Sequence, residues 1–183
     1  GWPAECIHAV PLAAGPDFYP RSALEVKGVM DRYDLVHGQY TLFVGTIEPR
    51  KNIAQLLQAY RLLPESVRKR WPLILTGYRG WQSDSLHQQI CEAEREGWAR
   101  YLGFLPAADL PSLYAGARLF AFPSRYEGFG LPVLEAMRSG VPVVCSDSSS
   151  LPEVAGDAAR MFSADDIEAL QHSLRLGLED TRW

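Results

Sequence analysis

The sequence predicts an α/β domain in which helices cover both faces of a doubly wound parallel sheet, a Rossmann-like fold. From residue 40 onward, short apolar runs alternate with segments of helical periodicity. The runs have no polar face, which is typical of parallel strands buried on two sides. A glycine or a polar loop follows most of them, and ligands of such folds bind at the carboxyl ends of the strands.

The first 38 residues carry few regular signals. Four prolines and Gly15 interrupt this part of the chain, so we expect an irregular interdomain or linker segment at residues 1–38. One short strand is predicted within it, at residues 6–10. The domain proper is expected to occupy residues 39–183.

The first strands and helices have clear boundaries. The β-rich run at residues 40–44 ends at a glycine, and Asn52 is a good N-cap for the helix that follows. The apolar face of this helix is formed by Ile53, Leu56, Leu57, Tyr60 and Leu63. A second strand at 72–76 also ends at a glycine, and a polar helix is predicted over 83–96. The basic cluster at 68–70 is expected to lie at a helix end or to be solvated.

The remaining elements continue the alternation. A short strand at 101–102 and a short helix at 110–115 come first. Three more strands are predicted at residues 118–124, 141–146 and 160–162. A helix over 132–139 has proline in its first turn and glycine just after its end. The sequence of residues 163–166 resembles a capping box that opens the last helix.

Composition and charge narrow the functional classes. With 183 residues, 47% hydrophobic and 22% charged, the chain can bury one ordinary globular core. The net charge of −4 argues against a nucleic-acid binder, which would carry a basic surplus. No apolar run is long enough to span a membrane and no secretion signal opens the chain, so we expect a cytoplasmic protein.

The cysteines and histidines predict neither disulfides nor a metal site. Cys6, Cys91 and Cys145 are widely spaced and form no CxxC pair, which fits a reducing compartment. Cys91 falls in a helical pattern and Cys145 in a strand, so we expect both to serve packing. The four histidines show no metal-binding spacing, and no Asp-x-Asp motif occurs.

An anion-binding loop is predicted between the first strand and its helix. Gly45 permits close backbone approach, and Arg50 and Lys51 supply two positive charges. Asn52 opens a helix whose free amides attract anions. A phosphate or pyrophosphate fits this loop, and two solvated cations are the alternative. A Walker loop and a GxGxxG fingerprint are both absent, and the second absence weakens a dehydrogenase interpretation.

Two glutamates bracket the loop that joins the fourth strand to its helix. Glu127 lies in the loop and Glu135 in the first turns of the helix, with Gly128 and Gly130 between them. Carboxylates accept hydrogen bonds from hydroxyl groups, while unpaired amides at a helix start donate to hydroxyls or phosphate. A polyhydroxylated anionic ligand therefore fits this segment. The alternative is a solvated loop acid and an acid favoured by the helix dipole.

Three aromatic residues lie near the predicted loops of this sheet edge. Tyr78, Trp81 and Phe104 are each placed where a ring can stack on a base or a sugar. For each of them, ordinary packing is the expected role.

Taken together, these segments resemble the C-terminal, donor-binding half of a retaining glycosyltransferase of family 4, whose members have the GT-B fold. The resemblance covers about residues 40 to 165 in collinear order. Its specific part is the Glu-x7-Glu segment with an EGFGLP core. The matching segments are 43–52, 75–77, 102–104, 109–110, 123–136, 140–143 and 151–154.

The resemblance implies a role for each charged residue of these segments. Arg50 and Lys51 would neutralise the donor diphosphate beside Gly45. Glu127 would be the catalytic residue and would meet hydroxyls of the donor sugar near the reacting carbon. Glu135 would accept from the ribose hydroxyls.

The resemblance also implies roles for backbone groups. Gly128, Phe129, Gly130 and Leu131 would bind the donor, the last three through amides that reach sugar hydroxyls and phosphate. The backbone around Phe104 would edge the base. Two fixed cations and helix amides would stabilise the leaving diphosphate without a metal ion.

The implied activity is retaining transfer of a hexose from a nucleotide-diphosphate sugar to a glycan or lipid-linked acceptor in polysaccharide biosynthesis. The loop at residues 45–52 is similar to that of bacterial mannosyltransferases that build surface polysaccharide, so GDP-mannose is favoured over UDP-sugars. No cofactor is implied. A non-catalytic nucleotide-binding or interaction module is an alternative, as is another GT-B enzyme, either a nucleotide-sugar epimerase or a phosphorylase.

Family members have two Rossmann-like domains, and the acceptor binds through the N-terminal one. Only about 38 residues precede the donor domain here, so we expect a fragment that holds a donor but is inactive in transfer by itself. The resemblance leaves open a peripheral position of the full-length protein at the inner face of the membrane.

Overall fold

The structure, a computed structural model, describes residues 2–8 and 10–180 and confirms the parallel α/β sheet. Its strands are β1 (Thr41–Val44), β2 (Leu73–Thr76), β3 (Ala99–Tyr101), β4 (Leu119–Phe122), β5 (Val143–Ser146) and β6 (Arg160–Phe162). They lie in the order β3-β2-β1-β4-β5-β6, and every neighbouring pair is parallel. Each strand lies close to its predicted position, and almost all residues of the central strands β1, β2, β4 and β5 are buried, as expected for parallel strands covered on both faces.

Helices pack on this sheet in two groups. The α-helices of the described residues are α1 (Ala23–Tyr33), α2 (Ile53–Arg61), α3 (Glu65–Arg70), α4 (Asp84–Arg95), α5 (Leu110–Gly116), α6 (Leu131–Arg138), α7 (Leu151–Ala155) and α8 (Ile167–Glu179). Contacts join α1, α5, α6 and α7 into one group, and α2, α4 and α8 into the other. The two groups are the covers that a doubly wound sheet requires.

The core runs along the central strands. Leu42, Phe43, Ile74, Phe120 and Val144 are all fully buried. The strand order is that of the Rossmann fold, in which the chain reverses its direction of travel between β1 and β4. Ligands of such sheets bind in the crevice at this switch point, outside the carboxyl ends of the strands. The loops after β1 and β4 are therefore the ones that the fold brings to the binding crevice.

The structure corrects the expectation that residues 1–38 are irregular throughout. Helix α1 begins at a capping box in which the Ser22 hydroxyl accepts from the Glu25 amide and the Glu25 carboxylate accepts from the Ser22 amide, at 3.4 and 2.8 Å. Val26 and Met30 are buried, and α1 packs on α5. The Ser-x-x-Glu signal was present, but it stands just after a stretch that is rich in proline.

The short strand predicted at residues 6–10 is also wrong. A 3-10 turn covers Ala4–Cys6, and no strand is found in the described part of that stretch, which leaves out Ala9. Because Ile7 and Val10 are exposed, this segment lacks the cover that an apolar strand needs.

An ion-pair cluster fixes α1 to the start of α5. Arg32 donates from Nη1 to both carboxylate oxygens of Asp109 at 2.7 Å, and the Tyr33 hydroxyl donates to the same carboxylate at 2.5 Å. Asp109 is itself buried and lies at the N-cap position of α5. Helix α1 therefore belongs to the packed domain through polar as well as apolar contacts.

Smaller corrections concern helix ends and one cysteine. The last helix begins after Asp166, whose carboxylate accepts from the Ala169 amide at 2.8 Å, so the predicted capping box from Ser163 is wrong. Helices α3 and α7 were not predicted, although the basic residues 68–70 do form the last turn of α3. Cys145 is buried as expected, whereas Cys91 is exposed and does not serve packing.

Candidate functional site

The loops after β1 and β4 meet in the crevice at the switch point. The Arg125 amide donates to the Arg50 carbonyl at 2.9 Å. In the other direction, Nη1 of Arg50 donates to the Tyr126 carbonyl at 2.6 Å. The two segments predicted separately from the sequence are thus one structural unit, joined by hydrogen bonds through backbone groups.

A cluster of two cations and two carboxylates lies at the centre of this unit. Lys51 Nζ lies 2.6 Å from Glu127 Oε1, and Arg50 Nη1 lies 3.1 Å from Glu127 Oε2. Arg50 also pairs with Glu48, at 2.7 Å. The 3-10 turn Pro49–Lys51 brings both cations to this position. Because Lys51 is only 7% exposed, the alternative of a solvated cation is wrong for Lys51, whereas the ion-paired Arg50 stays partly exposed.

Glu127 is held by more than its two cations. The Ser124 hydroxyl donates to Glu127 Oε1 at 2.5 Å, and the backbone amide of Glu127 donates to the Ser149 hydroxyl at 2.8 Å. Burial raises the pKa of the Glu127 carboxyl, but hydrogen bonds from Lys51 and Ser124 and the charges of both cations outweigh it. The pKa of Glu127 therefore lies below its ordinary value. This acid is ionised at neutral pH.

Replacing this acid changes how stability depends on pH. The stability that ionised Glu127 contributes is fully present above the carboxyl's unfolded-state pKa, about 4.3, and is lost as the pH falls through its lower folded-state pKa. We expect Glu127→Gln to lower the free energy of unfolding at pH 7 by about 1–3 kcal/mol. The difference in the free energy of unfolding between Glu127→Gln and wild type narrows below about pH 4.

Urea unfolding of both proteins between about pH 3 and pH 7 measures this effect. Glu92→Gln is the matched control, because Glu92 is an exposed acid on α4 that lies outside the site. A stability difference between Glu127→Gln and wild type that stays constant across this range contradicts the assignment.

Glycine at the start of α6 shapes the backbone between the two glutamates. Gly130 has φ +119, and a Cβ added there would lie 2.8 Å from Cδ2 of Leu151. Among the described residues, the amides of Phe129, Gly130 and Leu131 have no hydrogen-bond acceptor. They are the free helix-start donors that the sequence predicted. Gly128 lies in the loop with open space around it.

Serine residues after β5 hold this loop, although no role was predicted for them from the sequence. The Ser150 hydroxyl donates to the carbonyls of Phe129 and Glu127, at 2.6 and 3.0 Å. Ser150, at the N-cap position of α7, thus holds two backbone carbonyls of this loop, while the Ser149 hydroxyl accepts from the Glu127 amide. The available signal was the run of three serines that follows a buried strand at the same sheet edge.

Glu135 lies on α6, in a place different from that of Glu127. Burial raises the pKa of its carboxyl, and no ion pair to it is found in the described part of the chain. The two glutamates therefore differ in charge balance, since one is neutralised by two cations and the other by none.

Glycines lie at the ends of three strands beside the cluster. We call this group, Gly45, Gly77 and Gly103, the glycine floor. Gly45 follows β1 and lies next to Lys51, since a Cβ added at Gly45 would lie 3.5 Å from the Lys51 Cε. Its amide donates to the Thr76 carbonyl, and the Gly77 amide donates to the Gly103 carbonyl, both at 2.9 Å. The backbones after β1, β2 and β3 thus lie close together at this edge.

Three aromatic residues on this edge are exposed, which corrects the expectation that they serve ordinary packing. Tyr78 and Phe104 are 58% and 59% exposed and stack on each other, with ring centroids 3.9 Å apart. Trp81 is 60% exposed. These residues follow the carboxyl ends of β2 and β3, beyond the helices that cover the sheet.

Asn52 has a different role from the predicted one. It precedes α2 as expected, but its backbone is left-handed, with φ +56, and its side chain caps no helix amide. Instead, its side-chain amide donates to the Ala164 carbonyl at 2.9 Å. Asn52 therefore ties the loop after β1 to the segment after β6.

The described residues contain no group of three or more histidine, cysteine, aspartate or glutamate side chains arranged to hold a metal ion. In the same part of the chain, no helix has the length and apolar character needed to cross a bilayer.

The doubly wound sheet, with a Glu-x7-Glu loop at its switch point, is the fold of one half of a GT-B glycosyltransferase. The chain belongs to the family described as Glycosyl transferases group 1, whose model matches residues 36–182.

Relatives of known name support this membership. The O-antigen chain mannosyltransferase B of Escherichia coli is 53% identical over 182 residues, a match that covers 100% of this chain, to the nearest per cent, and 48% of the relative. A serotype-specific mannosyltransferase, WbdA, also of Escherichia coli, is 40% identical over 87% of this chain and 20% of its own length. The chain thus spans half or less of the length of these relatives.

Solved structures share the fold. Anabaena HepE in complex with UDP is 26% identical and superposes with a TM-score of 0.76 over 90% of this chain and 45% of HepE. WaaG, a glycosyltransferase involved in lipopolysaccharide biosynthesis, is 20% identical and has a TM-score of 0.82 over 98% of this chain and 49% of WaaG.

Proposed function

We propose that this chain is the donor-binding half of a retaining mannosyltransferase and that it holds GDP-mannose at the switch point of its sheet. The observation that carries the proposal is the buried contact of Lys51 and Arg50 with Glu127, beside the free amides that open α6. Cations and amides bind a diphosphate, while carboxylates bind the hydroxyls of sugars. The mannosyltransferases among the relatives favour mannose as the hexose.

The diphosphate of the donor binds between the cations and the helix start. Arg50 and Lys51 are fixed by ion pairs, so they need little reordering when an anion arrives. The amides of Phe129, Gly130 and Leu131 provide further donors on the side of α6. When the bond from the sugar to the diphosphate breaks, negative charge grows on the leaving phosphate, and these groups stabilise it without a metal ion.

Binding of a diphosphate changes the surroundings of Glu127. Without ligand, this carboxylate takes up the positive charge of both Lys51 and Arg50. A bound diphosphate shares these cations and leaves the Glu127 oxygens available to accept from hydroxyls of the sugar. In this proposal Glu127 is the catalytic residue, since it contacts the sugar near the reacting carbon.

The nucleoside lies further along the same edge of the sheet. Glu135 accepts from the ribose hydroxyls, and the base lies against the backbone around Phe104. The exposed stack of Phe104 on Tyr78 supports this placement, because exposed rings at a ligand edge can cover the face of a base.

The acceptor, a glycan or a lipid-linked glycan, binds outside this chain, on the second half of the enzyme. This chain covers about half of the relative that is 53% identical, so transfer requires the rest of the protein. The whole enzyme acts in polysaccharide synthesis in the cytoplasm, at the inner face of the membrane.

Calorimetry tests the donor directly. We expect this chain to bind GDP and GDP-mannose more tightly than UDP and UDP-glucose, with no loss of affinity in the presence of EDTA. Glu135→Ala is expected to weaken GDP binding about tenfold or more, the loss of hydrogen bonds to a charged group. Glu92→Ala, the exposed acid on α4, is the control and leaves binding unchanged.

Three outcomes contradict the proposal in different ways. If none of the four nucleotides binds, the assignment of a donor site to this crevice is wrong. Tighter binding of the UDP compounds overturns GDP-mannose alone. A requirement for a divalent cation overturns the metal-free account.

A further inference from the structure

A second set of polar contacts joins the crevice loops, outside the cluster around Lys51 and Glu127. The side chain of Arg125, in the loop after β4, pairs through Nη1 with Asp165 Oδ1 at 2.6 Å. Its Nε donates to Oδ1 of Asn52 at 3.3 Å. One guanidinium thus connects the loops that follow β4, β6 and β1.

Asn52 lies at the middle of these contacts. It is only 5% exposed, and while its Oδ1 accepts from Arg125, its Nδ2 donates to the Ala164 carbonyl at 2.9 Å. Its backbone is left-handed, with φ +56, a conformation that asparagine adopts more readily than most residues other than glycine. We call the side chains of Asn52, Arg125 and Asp165, with the Ala164 carbonyl, the loop clasp.

The loop clasp is close in sequence to the charged groups of the proposed donor site. Asn52 directly follows Lys51, and Arg125 stands two residues before Glu127. Between the two loops, the Arg125 amide donates to the Arg50 carbonyl. A shift of Asn52 or Arg125 therefore reaches the cation or the carboxylate through one or two peptide units.

Two packed helices support the other side of the clasp. Asp165 lies just before α8, and Asn52 lies just before α2. The helices α2 and α8 pack on each other. The loops after β1 and β6 are thus held at the ends of a helix pair, and Arg125 ties the loop after β4 to that pair.

We propose that Arg125 is a positioning residue for the donor site, which fixes Glu127 against Lys51 through the loop clasp and does not touch the nucleotide sugar. The inference rests on the proposed function, because it needs a donor in this crevice. It adds Arg125 and Asp165 to the residues on which binding depends. Their side chains are 45% and 75% exposed, so the ion pair contributes little to global stability. The clasp acts on the geometry of the loops.

The charge of Asp165 separates this role from a direct one. If Arg125 bound the donor phosphates itself, Asp165 would compete with the ligand for it, and removing that negative charge would tighten the binding of an anion. If Arg125 acts through the clasp, removing the charge frees the guanidinium from its partner and weakens binding. The two roles predict opposite signs for the same substitution.

Calorimetry of Asp165→Asn with GDP and with UDP is the test. For the nucleotide that the wild type binds, we expect a loss of affinity of about two- to fivefold, the size of one exposed ion pair. Arg125→Met also loses the contact with Asn52 and should weaken binding about fivefold or more. Adding Asp165→Asn to Arg125→Met should cause no further loss, because the pair is already broken.

Glu179→Gln is the matched control for Asp165→Asn. Glu179 lies at the other end of α8 and pairs with Arg175 at 2.8 Å, so its substitution also removes one negative charge and one exposed ion pair. It should leave nucleotide binding unchanged. Asp165→Glu keeps the carboxylate and should bind closer to wild type than Asp165→Asn does. The urea midpoints of Asp165→Asn and Glu179→Gln should be similar.

Hydrogen exchange of the Arg125 amide tests the clasp without a ligand. This amide donates to the Arg50 carbonyl and joins the loops after β1 and β4. Its exchange should be faster in Asp165→Asn than in wild type and unchanged in Glu179→Gln, since local opening depends on the contacts that hold a segment. An unchanged exchange rate in Asp165→Asn contradicts the inference.

Each outcome of the binding test decides between the two claims. If the wild type binds neither nucleotide, the proposed function fails and the inference fails with it. If the wild type binds and Asp165→Asn binds equally well or more tightly, the inference alone is overturned. Weaker binding together with a urea midpoint far below that of Glu179→Gln assigns the clasp a purely structural role and also overturns it.

Discussion

Lys51→Met is expected to lower the affinity for GDP by at least about 100-fold, through the loss of a charge-assisted hydrogen bond and of one buried positive charge. In the wild type, the cations Arg50 and Lys51 balance the carboxylates Glu48 and Glu127. Removing one cation leaves this buried cluster negative, so it repels a diphosphate as well as losing a contact. Calorimetry with GDP measures the loss.

Two further variants show whether this loss comes from charge. Lys69→Met is the control, because Lys69 is an exposed lysine on α3 whose ion pair with Glu65 is far from the crevice. Adding Glu127→Gln to Lys51→Met restores the charge balance and should recover part of the affinity. A Lys51→Met protein that binds GDP like wild type, or a double variant weaker than the single one, contradicts the assignment.

Gly77→Ala is expected to cost at least about 3 kcal/mol of stability or to prevent folding. A Cβ at this position would lie 1.9 Å from the carbonyl oxygen of Gly45, and Gly77 has φ +146, which L side chains rarely adopt. The obstacle is backbone of the neighbouring strand end, held by the parallel pairing of β1 with β2, so it cannot rotate away. Urea unfolding followed by tryptophan fluorescence measures the change.

Gly28→Ala is the control for this substitution. Gly28 lies inside α1 with nothing within 4 Å of an added Cβ, so alanine there should raise stability by about 0.5–1 kcal/mol. If Gly77→Ala unfolds within about 1 kcal/mol of wild type, the glycine floor is not the rigid element described above.

Most of the fold could be predicted because its signals are local. Strand β4, for example, was predicted from a run of apolar residues, and all four residues of the observed strand are buried. The meeting of the loops around Lys51 and Glu127 follows from topology, because parallel strands present their carboxyl ends at one edge. Helix α1 was missed although the capping box of Ser22 and Glu25 is local, since the prolines before it indicated an irregular segment.

The parts of the site that could not be predicted depend on contacts distant in sequence. The serines after β5 do not by themselves show that Ser150 donates to the carbonyls of Glu127 and Phe129, because helix α6 and strand β5 lie between them in the sequence. The pairing of Arg50 with Glu48 is local in sequence, but it requires the turn that Pro49–Lys51 adopts. Spacing identifies which residues reach the sheet edge, while packing decides which of them touch.

The balanced cluster of Glu48, Arg50, Lys51 and Glu127 has a consequence for how a ligand is captured. Because each cation already has a carboxylate partner, the site projects little positive field into the solvent, and the chain carries a net charge of −4. Diphosphates are therefore not drawn in from a distance, and affinity should depend weakly on ionic strength. Under the proposed function, a bare phosphate must compete with Glu127 unaided, whereas a nucleotide sugar also offers hydroxyls to the displaced carboxylate. We therefore expect the cluster to discriminate against the abundant small anions of a cell.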